Sequence, residues 1–113
     1  MLSPATFEER MPVWTALSTL FLDTEQTDAD IASIARCLRD SPYDPDELER
    51  ILREEVSPAF SANLLSVAGE WAGWSDEDVR EIMTRSLRRS RGIRRFFRVR
   101  MIPDEWARVK ALL

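Results

Sequence analysis

Apolar side chains recur along this chain at helical spacing, and the stretches that alternate as a strand would are short. Phe7, Met11, Trp14, Leu17 and Phe21 follow one helical face. Ser3–Pro4 reads as a cap followed by proline at a first helical position, where the missing N–H is no loss. Pro12 must either start the main helix or kink it, because its ring clashes with the carbonyl four residues back. The pattern therefore predicts the main first helix over about 12–22. Ile31, Ile34, Ala35 and Leu38 form the next apolar stripe, opened by Thr27 as cap and Asp30 three residues later. Cys37 lies beside this stripe and reads as a small packing residue at the edge of the core.

"DPDE" at 44–47 is the clearest helix start in the chain. Asp44 caps, Pro45 takes the first position and Glu47 completes the box. Leu48, Ile51, Leu52 and Val56 face inward, while Asp46–Arg50 and Glu49–Arg53 are acid-then-base pairs four residues apart. Ser57–Pro58 repeats the cap-and-proline signal, which predicts a further helix containing Leu64, Leu65, Val67, Ala68 and Trp71. Gly73 stops it. Ser75 and Asp78 open the next helix, whose inward positions are Val79, Ile82, Met83 and Leu87. Ile93, Phe96 and Phe97 stand two heptads on from Val79, Ile82 and Met83, so one face can run from 79 to 97, interrupted at Gly92. "FRVRM" alternates like a strand but is short and has no convincing partner. Pro103, Asp104 and Glu105 start a last helix with Trp106, Val109 and Leu113 inward. The expected architecture is all-α: a bundle of five to six short helices forming a single domain over residues 1–113.

Composition narrows the chemistry. The chain has no histidine and one cysteine, so a Cys–His nucleophile and a zinc site are excluded, and the commonest general base near neutral pH is missing. Acids at 23–30 and 70–78 lack the alternate spacing and closing glutamate of a calcium loop. No enzyme activity, metal or cofactor is expected. The first ten residues carry no basic-then-apolar leader, and no apolar run is long enough to span a bilayer. The expectation is a cytoplasmic protein.

Charge adds a second pattern. The formal net charge is −4, but residues 1–78 carry 17 acids and 5 basic side chains, a net of −12, while residues 79–113 carry 3 acids and 11 basic side chains, a net of +8. Two oppositely charged faces, or two halves that attract each other, would produce this. The basic half is concentrated in "RSLRRSRGIRRFFRVR" at 85–100. On a helical wheel Arg88, Arg91, Arg94, Arg95 and Arg98 lie opposite the apolar face. Their plainest role is a solvated helix surface. They could instead grip an anionic protein or a second copy of the chain, nucleic acid, or an anionic membrane. A domain otherwise at −12 repels a polyanion, which counts against nucleic acid, and an acidic protein with no lipidation signal is a poor membrane binder; a nucleic-acid-associated regulator using this arginine-rich stretch is kept as the alternative function.

The acidic half offers Asp23, Glu25, Asp28 and Asp30 around one helix–helix loop, and Glu70, Trp71 and Trp74 around another. Trp14 and Trp106 fit inward stripes. Aromatic anchors ringed by acids suit binding to a basic partner. "LSTLFLDTE" (17–25) and "NLLSVAGEWAGW" (63–74), with "SPYDPDELERILREEVSPAF" between them, resemble segments of a family of short helical bacterial proteins with no known activity. The resemblance implies a small bacterial protein and transfers no functional residue. The sequence thus points to a non-enzymatic protein-binding module: an immunity- or antitoxin-like inhibitor, or an adaptor, that engages a toxin, effector or other protein by charge complementarity, with Asp23, Glu25, Asp28, Asp30, Glu70, Trp71 and Trp74 as its contact residues.

Overall fold

The computed structural model describes residues 3–21, 26–60, 75–88 and 103–113. Helix α1 spans Pro4–Ser18 and tightens into a 3₁₀ turn over Thr19–Phe21. Helix α2 spans Asp28–Arg39. Helix α3 spans Pro45–Ile51 and runs on as a π-helical segment over Leu52–Val56. Helix α4 spans Asp76–Leu87, and α5 spans Glu105–Lys110. No strand occurs among the described residues. The fold is an all-α bundle.

The helix starts are built as their sequences dictate. Thr27, Asp44 and Ser75 each accept from the backbone N–H three residues on, and Asp30, Glu47 and Asp78 each accept from the cap's own N–H. Ser3 caps α1 in the same way, with Pro4 in its first turn.

Two proline expectations change. Helix α1 begins at Pro4, eight residues before the expected start, and Pro12 lies inside it. A proline in a helix interior costs about 3 kcal/mol. Here Pro12 is on the exposed side, while Met11, Val13, Trp14, Ala16, Leu17 and Ser18 are all buried. Burial of several such side chains, at ~1.5–3 kcal/mol for each large one, outweighs the proline penalty. The second change concerns Ser57, which stands in helical conformation at the end of the π segment rather than at a helix start. Its N–H bonds to Leu52 five residues back, and the helix continues through 57–60. Pro58 has no N–H, and its ring needs the carbonyl of Glu54 out of the way; a wider π turn supplies that room.

Buried nearly all round from Met11 to Ser18, α1 is the central helix. It packs against α2, α4 and the π segment, and α2 packs against α5. Trp14, Leu17, Leu38, Leu48, Ile51, Leu52, Phe60, Val79 and Met83 make the fully buried centre. Trp106 and Val109 bring α5 onto it. The expected helix through Leu64–Trp71, and the continuation of α4 through Gly92 to Phe97, lie outside the described residues.

The two charge-opposed halves are joined across the fold. Arg80 of α4 pairs with Glu8 of α1, Arg108 of α5 with Asp28 of α2, and Lys110 of α5 with Glu49 of α3. Each pairs a base from the second half with an acid from the first. These pairs are largely exposed, so they set orientation more than they add stability.

Candidate functional site

Among the described residues a groove is laid along α1, with α2 and the first turns of α4 as its walls. Its volume is about 480 Å³. Pro12, Thr15, Ala16 and Thr19 form one face of α1, at spacings of three and four. Ser33, Ile34 and Cys37 form the facing wall on α2, and Asp76 and Arg80 form the other wall on α4. Met11, Ala16 and Ile34 are buried side chains that give the floor an apolar surface.

The polar groups in the groove are mostly committed to its own scaffold. The hydroxyl of Thr15 donates to the Met11 carbonyl at 2.9 Å, and that of Thr19 donates to the Ala16 carbonyl at 2.7 Å. The groove therefore presents the methyl groups of these threonines. The Cys37 thiol points at the Pro12 carbonyl at 3.7 Å, and burial together with the nearby Asp40 charge pushes its pKa up. Both effects favour the protonated thiol over the thiolate. Arg80 is held by both carboxylate oxygens of Glu8 and lies 5.7 Å from the centre of the Phe7 ring. That clamp holds the Glu8 carboxyl below the usual range and raises Arg80. Asp76 is exposed and makes no salt bridge among the described residues.

Of the acids expected to contact a partner, Asp30 stands just beyond the lining of this groove. Asp30 precedes Ser33 and Ile34 by three and four residues on the same helix, so it continues the α2 wall by one turn. Its carboxylate accepts from the Thr27 N–H at 2.9 Å, which keeps it ionised and lowers its pKa. Asp28 pairs with Arg108 of α5 while its side chain stays 99% exposed. Asp23, Glu25, Glu70, Trp71 and Trp74 lie outside the described residues. So do Arg91, Arg94, Arg95 and Arg98; Arg88 is exposed at the end of α4.

A second polar cluster, on another side of α1, was missed by the sequence reading. The fully buried Trp14 donates its indole N–H to Glu55 at 2.9 Å. Arg10, one turn earlier, pairs with the same carboxylate, and both of these charged side chains are only 16% exposed. Arg10 also donates to Tyr43 at 3.2 Å and lies 5.5 Å from its ring centre, and Tyr43 donates to Glu9 at 2.7 Å. Burial opposes the Arg10 charge, but Tyr43 and Glu55 more than offset it. The buried indole of Trp106 repeats the device on Glu49 at 2.8 Å. The available signal was that a buried tryptophan needs an acceptor. Which glutamate supplies it depends on tertiary placement. These clusters lock helices together, with each of Arg10, Glu55, Glu9 and Glu49 bonded to a side chain of another helix or of the loop before α3.

The model of a family described as "Domain of unknown function (DUF7079)" matches residues 8–112. The chain belongs to the DUF7079 family. No curated protein and no solved structure matches it. The DUF7079 match runs from Glu8, which clamps Arg80, to Leu112, whose carbonyl accepts from Arg39 at 3.1 Å. It therefore takes in every residue that lines the groove and both glutamate–tryptophan locks. No described helix of this DUF7079 protein is long and apolar enough to cross a membrane.

Proposed function

We propose that this DUF7079 protein is a non-catalytic protein-binding module, of the immunity, antitoxin or adaptor kind, that holds a partner through the groove on α1 and the acids beside it. The observation that carries the reading is the groove itself: an open, apolar-floored surface with Asp76 in one wall and Asp30 just beyond the other. The hydroxyls of Thr15 and Thr19 and the Cys37 thiol are bonded within the scaffold, which suits burial of a partner's apolar side chains. The likeness of "LSTLFLDTE" and "NLLSVAGEWAGW" to short bacterial proteins fits a small cytoplasmic inhibitor in a bacterium. Nothing described favours the nucleic-acid alternative, since Asp30 and Asp76 beside the groove repel phosphate.

The test is co-purification from the native host with three baits: the wild-type protein, a groove-filling Thr15→Trp variant, and a reversal carrying Asp23→Lys, Glu25→Lys, Asp28→Lys and Asp30→Lys. One protein enriched by the wild type and lost with both variants, at unchanged helical content, supports the reading. Identical partners for all three baits, or a salt-sensitive shift of generic DNA or RNA in a gel with no protein partner, overturns it.

A further inference from the structure

The groove has a length and an electrostatic sign that identify the kind of segment it takes. Resting on the reading of this protein as a protein-binding module, we infer that the groove receives a basic amphipathic helix of about two turns, laid along α1. Its apolar ridge would sit on Met11, Ala16 and Ile34, with its cations toward Asp30 and Asp76.

Length comes first. From Pro12 to Thr19 the groove follows seven helical steps of α1, about 11 Å at 1.5 Å per residue, which is two turns of a partner helix. Shape agrees. Two helix walls flanking a third helix form a trough, and a row of side chains at spacings of three and four packs into such a trough. The floor is apolar along its length, with the threonine hydroxyls turned back to their own helix.

Charge then selects the sign. Arg80 is the cation of the groove wall, and Glu8 neutralises it through both oxygens. Asp76, four residues earlier on the same helix, makes no salt bridge among the described residues. Asp30 is held ionised by its cap bond and faces no described cation. Arg80 thus lies between two acids, Glu8, which clamps it, and Asp76, which acts on it across one helical turn, so the α4 wall keeps an excess of one negative charge, and Asp30 adds a second acid one turn beyond the α2 wall. An acidic helix meets repulsion there, and lysine or arginine at the edge of the apolar ridge meets its counter-charge.

The experiment uses the full-length protein and three fluorescein-labelled synthetic 14-residue peptides: a leucine/lysine amphipathic helix, the same composition scrambled to destroy the apolar stripe, and a leucine/glutamate amphipathic helix. Fluorescence anisotropy gives the affinities. The leucine/lysine helix is expected to bind at least ten-fold more tightly than either control. Thr15→Trp should weaken it at least ten-fold, and Asp76→Lys several-fold with a flatter salt dependence. Where Thr15→Trp does not fold, Ser33→Trp, at an exposed position on the α2 wall, makes the same test. Bound peptide should also slow labelling of Cys37 by a thiol reagent. Equal binding of the scrambled peptide, equal binding of the leucine/glutamate helix, indifference to both tryptophan variants, or no binding by any peptide overturns the inference. A partner that is lost with Thr15→Trp in co-purification but contacts the groove through something other than a basic helix overturns this inference alone and leaves the binding-module reading standing.

Discussion

Replacing Glu55 by alanine should destabilise this protein more than any other single change to a charged side chain in the described residues. The carboxylate accepts at once from the Trp14 indole at 2.9 Å and from Arg10. Trp14 is fully buried, so its N–H cannot turn to water, and a buried donor left without a partner costs roughly 1–3 kcal/mol. Arg10 loses its counter-ion at 16% exposure, and breaking a buried pair from one side costs about 3–5 kcal/mol. Tyr43 still holds Arg10 from the other side, which brings the expected total down to about 3 kcal/mol. Glu55→Gln keeps an acceptor for the indole and should lose only ~1–2 kcal/mol. Trp14→Phe removes the donor, so the double variant Trp14→Phe with Glu55→Ala should lose about 1–2 kcal/mol less than the two single losses added. Urea titrations followed by circular dichroism at pH 7 measure these differences as shifts in midpoint at constant slope. A loss under ~0.5 kcal/mol for Glu55→Ala, or a coupling energy of zero, would refute the role given to this carboxylate.

Other consequences are open to the same titrations. Hydrogen bonds from the Trp106 indole and Lys110, with the charges of Lys110 and Arg53, hold the Glu49 carboxyl below its ordinary value of 4.5. Its contribution is therefore complete above that value and is lost as pH falls through the lower folded-state pKa, because the unfolded chain takes up the proton first. Glu49→Gln should give a shallower fall in stability between about pH 5 and pH 3, and an unchanged slope would count against the Trp106–Glu49 lock. The buried Ser86 hydroxyl has no hydrogen-bond partner among the described residues, so Ser86→Ala should be neutral or stabilising by up to ~1 kcal/mol; a clear loss in thermal midpoint would mean that the hydroxyl is satisfied. Pro12 interrupts α1 on its exposed side, and Pro12→Ala should gain about 1–2 kcal/mol after the greater freedom of the unfolded chain is set against the restored helix. Cys37 should react with a thiol reagent at pH 8 more than ten-fold faster in 8 M urea than in the native protein, since burial raises its pKa; equal rates would contradict its placement in the groove.

The elements that the sequence announced correctly are those set by local chemistry. Thr27, Asp44 and Ser75 start helices because each cap and its third neighbour complete a two-bond motif within four residues, which needs nothing from the rest of the chain. The inward faces of α2 and α4 were legible for the same reason, as apolar positions three and four apart. Pro12 and Ser57–Pro58 misled because the local rule was opposed by packing. Burial around Met11–Ser18 carries α1 through one proline, and a π turn carries α3 up to the other. Of the acids taken as partner contacts, Asp30 stands beside the groove, while Asp28 is paired within the chain to Arg108. The groove was invisible in the sequence because it is made from one face each of α1, α2 and α4, two of which otherwise read as core-facing helices with a polar back. The glutamate–tryptophan locks were half-visible: the donors could be named, but their acceptors lie 41 and 57 residues away.

We propose that the α1 groove is where the protein holds its partner. A photoreactive amino acid placed at Ser33, an exposed lining position, tests it in living cells of the native host. The account predicts one discrete protein adduct after irradiation, whose cross-linked peptide is a lysine- or arginine-rich amphipathic segment, and whose yield falls when Thr15→Trp fills the groove. Irradiation that gives no protein adduct from Ser33, or gives the same adducts with the groove filled, would contradict it.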